Sequence, residues 1–467
     1  MIRKLDRPCV HLEMPTAERV HRRAMSTRSG SIGFFASVAH VAAHPGVWRR
    51  LPGAARDRVF PSLRHTQYLR LWQGNAGSTV AFWMQSVAQG WLVIVLTDSP
   101  FMLGLLAFFR SVPMLVLSPF GGVLADRWDR RKLLVVAQIA MGSAALFVAV
   151  LVFTGWIHIG HLVLTSLVLG TCFAVNMPAR NALVSDLVPR KDLTNAVGLN
   201  SATVNAARIA GPALAGMLIG VVGIASTYLV QFGGYVWATL NIWRVRPPPN
   251  APRARGSTLD VLREGFGYVR RTRLILAMLV LTMAPAVFAM PVVQLLPAFV
   301  KTELNSGPES LGGLMSVLGV GALTGSLVVV GFARFRHKGR ALLGAALLYG
   351  LLMVALAFTR SLLTAGAVLV VAGFFQAVYM ATNQTLLQLV TPRALRGRVL
   401  SLLMMTWGLT PLGLLPMSAI AQFIGSPAAF VFGGLASTVV VGFVIVWTRE
   451  LWRLEPDAGG DESGAAA

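Results

Sequence analysis

The stretch GGVLADRWDRRK, residues 121–132, carries six charges in twelve positions: Asp126, Arg127, Asp129, Arg130, Arg131 and Lys132. Long apolar runs flank it, FMLGLLAFFRSVPMLVLSPF (101–120) before and LLVVAQIAMGSAALFVAVLVF (133–153) after. A charged knot between two runs of this length is what a loop between membrane spans looks like. The composition agrees. The 467 residues are 55% hydrophobic and 13% charged, with a mean hydropathy of +0.66, whereas a soluble domain is roughly a quarter charged. Two cysteines, Cys9 and Cys172, exclude a disulfide framework.

Working outward from the knot, twelve apolar runs can be read, near 68–97, 101–124, 132–154, 157–178, 198–220, 223–243, 273–300, 309–333, 340–358, 361–388, 399–421 and 425–448. Each approaches the ~20 residues that a helix needs to cross the hydrocarbon core. Lipid offers no partner to backbone polar groups, so spans must be helices or closed barrels, and barrel strands need only about 10 residues. The fold class is therefore an all-α membrane protein with twelve transmembrane helices.

Lys and Arg set the sidedness. The loops at 127–132, 180–191, 244–273, 334–340 and 393–398 hold 22 of them, and the alternate loops hold two, Lys301 and Arg360. This bias predicts a multi-pass membrane protein with both termini cytoplasmic. It also accounts for much of the net charge of +23, through contact with anionic lipid headgroups. A nucleic-acid role would need those residues on one folded surface.

Five regions follow. Residues 1–67 are a basic cytoplasmic tail, read as disordered. Residues 68–243 and 273–448 are two six-helix bundles of 176 residues each. Residues 244–272 form a cytoplasmic linker in which Pro247, Pro248 and Pro249 end the sixth helix. A short amphipathic helix then carries Val261, Leu262, Phe266 and Val269. Residues 449–467 are a second disordered tail.

The bundles look duplicated. SPFMLGLL (99–106) aligns with GPESLGGL (307–314), pairing Pro100, Leu103 and Gly104 with Pro308, Leu311 and Gly312 at an offset of 208. DLVPRKDL (186–193) aligns less regularly with QLVTPRAL (388–395). Two bundles in the same orientation imply a pseudo-two-fold axis along the membrane normal, with a binding cavity between them.

With the duplication in view, the opening stretch resembles the loop between the second and third helices of the major facilitator superfamily, Gly-x-Leu-Ala-Asp-Arg-x-Gly-Arg-Lys. Here the pattern is Gly122, Leu124, Ala125, Asp126, Arg127, Arg130 and Arg131, with Asp129 where the family usually has Gly. Residues 64–243, including NMPARNALVSDLVPRKDLTNAVGLNSA and ARIAGPALAG, resemble its secretion-effector branch, which contains enterobactin-exporter-like proteins. The resemblance implies the major facilitator fold and alternating access. It also implies a latch, in which Asp126 meets the N-terminus of the eleventh helix, near Val399, when the cavity faces outward. Arg127, Arg130 and Arg131 can pair with carboxylates such as Asp186. Plain positive-inside anchoring explains the basic residues of the knot but not its aspartates. The corresponding loop of the second half, ARFRHKGRAL (333–342), has Arg334 where Asp126 stands.

NAARIAGPALAG in the fifth span resembles the superfamily's antiporter signature through Gly211, Pro212 and Gly216, with Ala207 and Ala215 in place of two glycines. Small residues also allow close helix packing without any such role.

Arg110 and Arg208 lie roughly 13 Å along their helices from the nearer end, and such residues usually face a cavity or a partner. Either they draw anionic or strongly polar cargo to the cavity, or they pair with carbonyls between helices. Other polar residues expected to line the cavity are Asn75, Gln85, Gln89, Asn176, Gln294, Gln376 and Tyr379. Apart from Glu309 at an outer edge, no Asp or Glu lies inside a span. Proton coupling, as in an antiporter, would then fall on Asp126, Asp186 or His161, or on no side chain.

The function expected is secondary active export of a small molecule such as a siderophore, drug or metabolite, by a monomer without cofactor or metal. The alternative is a lysolipid or lipid flippase of the same fold. A GxxxxGK[ST] phosphate loop is absent, which disfavours an ATP-driven pump, and no cluster of His, Cys, Asp and Glu suggests an enzyme.

Overall fold

The computed structural model describes residues 60–247, 267–331, 337–392 and 410–452, with single positions between 393 and 409; for 118–127 and 449 it gives the backbone only. The tail before residue 60, most of the linker's expected amphipathic helix and the tail after 452 lie outside the described residues.

A 3-10 turn, Pro61–Arg64, leads into the first span, so the described chain is already folded seven residues before the expected start at 68. The spans are α1 (Thr66–Thr97), α2 (Pro100–Arg127), α3 (Arg130–Thr154), α4 (Ile159–Leu187), α5 (Arg190–Val221) and α6 (Ile224–Trp243). After the linker comes a broken span, α7, made of Arg273–Ala284, a π turn Pro285–Ala289, Met290–Gln294 and Leu296–Thr302. It is followed by α8 (Pro308–Gly331), α9 (Lys338–Ala357), α10 (Leu362–Val390), α11 (Thr410–Phe423) and α12 (Ser426–Trp447). Ten of these are long and apolar enough to cross a membrane. α6 is long enough, but Tyr228, Gln231, Tyr235 and Asn241 dilute its hydropathy. α11 is described over 14 residues.

Local chemistry sets the ends. Asp129 is the N-cap of α3, its carboxylate accepting from the backbone N–H of Arg131 and Lys132. That is the ordinary work of an Asp before a helix, so one of the two aspartates in the knot has a structural explanation. Ser361 caps α10 through the Thr364 N–H. α4 continues past Pro178 to Leu187, nine residues beyond its expected end. Packed neighbours can hold a proline-interrupted helix together within a membrane. α7 breaks where Pro285, Pro291 and Pro297 remove successive N–H donors.

The duplication is visible in the backbone. Asp98 after α1 and Asn305 after α7 share the left-handed conformation, both with φ 47°, at an offset of 207. Gly223 before α6 and Gly425 before α12 have φ 106° and 114°. Packing repeats as well: α2 lies on α4 as α8 lies on α10, and α3 on α6 as α9 on α12. Between the halves, α5 crosses α8 and α11 crosses α2, which are symmetry-related pairs.

The two ends of the molecule differ. At the end away from the basic loops, one apolar core runs through both halves, from Met84 and Leu103 to Phe299, Leu311 and Phe430. At the basic end, a separate core of the second half, with Met278, Leu342, Leu386 and Val444, contains no residue of the first half.

Candidate functional site

The sparsely charged end is closed by contacts between the halves. A Cβ on Gly216 of α5 would lie 2.6 Å from the Pro308 carbonyl oxygen and 3.0 Å from the Gly312 Cα of α8. One on Gly312 would lie 2.4 Å from the Pro212 carbonyl oxygen. Ser316 Oγ donates to the Ile209 carbonyl at 2.7 Å. α2 meets α11 where Gly104 abuts Ser418. At the rim, Lys301 Nζ reaches Asp98 Oδ1 at 2.5 Å, and Ser99 Oγ donates to Gln422 Oε1 at 2.6 Å. The signature-like residues are thus all at helix crossings: Gly211 packs on Trp83 of α1, while Pro212 and Gly216 pack on α8. Toward the basic end, Gly198 of α5 and Gly331 of α8 meet nothing within 4 Å.

At mid-depth one polar connection crosses between the halves. Arg208 of α5 donates from Nη2 to Oε1 of Gln376 on α10 at 2.5 Å. Gln376 Nε2 in turn donates to the Tyr349 hydroxyl at 3.0 Å, and Tyr349 stacks on Tyr379. The Arg208 guanidinium lies 5.6 Å from the ring centroid of Trp83. The Trp83 Nε1 donor is buried without a partner. Arg208, Gln376 and Tyr379 are thereby brought into one network.

The other expected cavity residues are more scattered. Gln85 donates to Gln89, which donates to Ser166 of α4, so these two join α1 to α4. Asn75 and Asn176 are buried, with Oδ1 of the first and Nδ2 of the second unpartnered. Gln294 is half-buried on the broken α7. Arg110 abuts α4, its carbonyl 1.9 Å from where a Cβ on Gly170 would sit. It makes no hydrogen bond or ion pair among the described residues.

Sequence reasoning missed Arg180. With the fourth span ended at 178, Arg180 counted as a loop residue; the longer α4 makes it a third arginine within the first bundle, with Nε buried and unpartnered. The signal that could have found it is Val188-Pro189, a better stop than Pro178, preceded by the apolar pattern of NALVSDL. Tyr349 and Ser316 gave no sequence signal beyond being single polar residues in apolar runs.

In the charged knot, Arg130 Nη1 donates to Asp186 Oδ2 at 2.5 Å, with side chains 14% and 10% exposed. Arg131 donates to the carbonyls of Trp243 and Val245 at the end of α6. These contacts tie α3 to α4 and α6 inside one half. Of Gly122, Asp126 and Arg127 only the backbone is described, and most of the segment before α11 lies outside the described residues. His161 accepts from the His158 N–H and so caps α4 at the opposite end.

Two six-helix blocks, closed on each other at one end and bridged at mid-depth by an arginine, define a secondary transporter of the major facilitator type. The model of the transmembrane secretion effector family matches residues 58–458, and the chain belongs to that family. It is a multi-pass membrane transporter and not an enzyme. The staphyloferrin A transporter of Staphylococcus aureus is 27% identical over 80% of this chain and 94% of its own length. The multidrug efflux pump Tap of Mycolicibacterium fortuitum is 26% identical over 82% and 94%. In fold, the chain is similar to a bacterial homologue of the human lysosomal transporter Spinster, solved in an inward-facing, unoccupied conformation. The TM-score is 0.62 at 18% identity, covering 83% of this chain and 96% of that one.

Proposed function

We propose that this protein exports a small molecule, such as a siderophore, drug or metabolite, across the bacterial plasma membrane by alternating access. In the state described here it is open at its basic end, which is cytoplasmic, as are both termini. One observation carries the reading. Asn181 and Ser185 on α4, Ser201 on α5, and Gln384 and Gln388 on α10 are exposed, and Asn205 bonds only back to the Ser201 carbonyl. Exposed amides cost several kcal/mol in hydrocarbon, so these faces border water. With the other end closed, that water enters only from the basic side. Export is supported by the secretion-effector family and by a relative that is an efflux pump.

The test compares a strain lacking the protein with one overproducing it, for tolerance to and release of siderophores, macrolides and lysolipids. Lower tolerance or cellular retention in the deletion strain is expected for one compound class. If lysolipid alone is affected, the flippase reading replaces export. In parallel, Asn181→Cys should react with a membrane-impermeant maleimide in inside-out vesicles and not in right-side-out cells. The reverse labelling would overturn the orientation.

In this reading the Asp126 latch forms when the basic ends close. A carboxylate at a helix N-terminus contributes about 0.3–2 kcal/mol, so Asp126→Asn should slow transport roughly two- to thirtyfold with unchanged membrane abundance. Full transport by Asp126→Asn would leave the knot as anchoring only.

A further inference from the structure

The geometry points to an anionic cargo, recognised at mid-depth by Arg208 together with the indole N–H of Trp83. This rests on the transport reading above and adds the chemical class of what is carried. Guanidinium groups present five N–H donors and no acceptor. Arg208 spends one of them, on the neutral amide of Gln376. The indole N–H of Trp83, whose ring the guanidinium overlies, is also a buried, unmatched donor. A second pair of unmatched surroundings lies in the same bundle: Arg110 and Arg180 make no ion pair among the described residues. In the described helices, acidic residues stand only near the ends: Asp126 in α2, Asp186 in α4, Asp192 in α5, Glu309 in α8 and Glu450 in the short helix Arg449–Trp452. Asp186 is taken by Arg130 and Asp192 by His65.

A buried cation with no counter-charge is costly, and the described residues supply none at this depth. Clustered donors without acceptors are complementary to a carboxylate, phenolate or similar oxyanion, which accepts from several N–H groups at once. A basic protonated cargo would meet like charge at Arg208. Because Gln376 belongs to the opposite half, an anion that takes Arg208 from it also alters a contact between the halves. Binding is thereby linked to the rocking motion. The Trp83 ring beside Arg208 adds an aromatic face, so an aromatic acid fits better than an aliphatic one of equal charge.

The full-length protein in lipid nanodiscs, titrated with benzene-1,3,5-tricarboxylate, benzoate, benzamide and benzamidine, tests this with near-isosteric probes of different charge. The melting temperature is expected to rise with the two acids, more for the tricarboxylate, and to stay level with the neutral amide and the cationic amidine. Arg208→Gln should weaken the acids' apparent affinity by about tenfold or more. Gln376→Glu places a permanent carboxylate on the guanidinium and should do the same without removing any cation. Gln376→Leu leaves Arg208 free and should retain binding within about threefold. Equal stabilisation by benzamide or benzamidine overturns the assignment, as does unchanged acid binding in Gln376→Glu, or no shift with either acid. If the acids fail while the deletion strain still retains a neutral or cationic compound, export stands and the anionic class falls.

Discussion

Gly312→Val is expected to abolish transport while leaving the protein in the membrane. A Cβ at this position would already sit 2.4 Å from the Pro212 carbonyl oxygen and 2.9 Å from the Gly216 Cα. Both obstacles are backbone, so no rotamer change relieves them. The α5–α8 crossing must open, and the sparsely charged end can no longer close. Overpacking a tight contact costs about 1–3 kcal/mol where side chains can adjust, and here they cannot. A bias of about 3 kcal/mol or more between two states of similar stability lowers the population of one by roughly a hundredfold. Gly313 is the control: it is next in sequence, and a Cβ there meets nothing within 4 Å, so Gly313→Val should transport normally. The conformational readout is a disulfide between Asp98→Cys and Lys301→Cys, whose native side chains meet across the rim. It should form readily in the parent background and be lost on adding Gly312→Val. Retained transport together with a retained cross-link would show that this crossing does not gate the protein.

The second large effect is on stability. Arg130→Ala should lower unfolding free energy by about 3 kcal/mol or more, because it strands the Asp186 carboxylate, which is largely shielded from water, and Asp186→Asn should destabilise as well. Replacing both, as Arg130→Met with Asp186→Leu, should cost clearly less than either single change. Melting of the purified protein in detergent measures all three. The Lys301–Asp98 pair makes the contrast, since Asp98 is 80% exposed and exposed pairs are worth roughly 0–1 kcal/mol. If Arg130→Ala melts with the parent, the knot does not hold α3 to α4.

Much of the architecture was legible because the bilayer restricts the choices. Apolar runs of about 20 residues become helices in lipid, and ten of the expected spans appear as helical segments long and apolar enough to cross a membrane. The repeat surfaces in the paired left-handed turns at Asp98 and Asn305, one residue off the 208 of the sequence alignment. Reading went astray where a local rule met tertiary support. The expected fourth span ends at 178, yet α4 runs on through Pro178 to Leu187, and Arg180 enters the bundle as a result. The Asp129 carboxylate was legible in principle, as an Asp just before a helix, but the surrounding charge drew attention to ion pairing instead.

The sequence by itself determined the spans, the sidedness expected from Lys and Arg, and the repeat, because each depends on solvent partition or on turns a few residues long. Only the tertiary structure decided that Arg208 meets Gln376, that α5 and α8 touch through Gly216 and Gly312, and which end is shut. Those contacts join residues more than 90 positions apart, and the choice of closed end is a small free-energy difference between two packings of the same helices. No local pattern encodes such a difference.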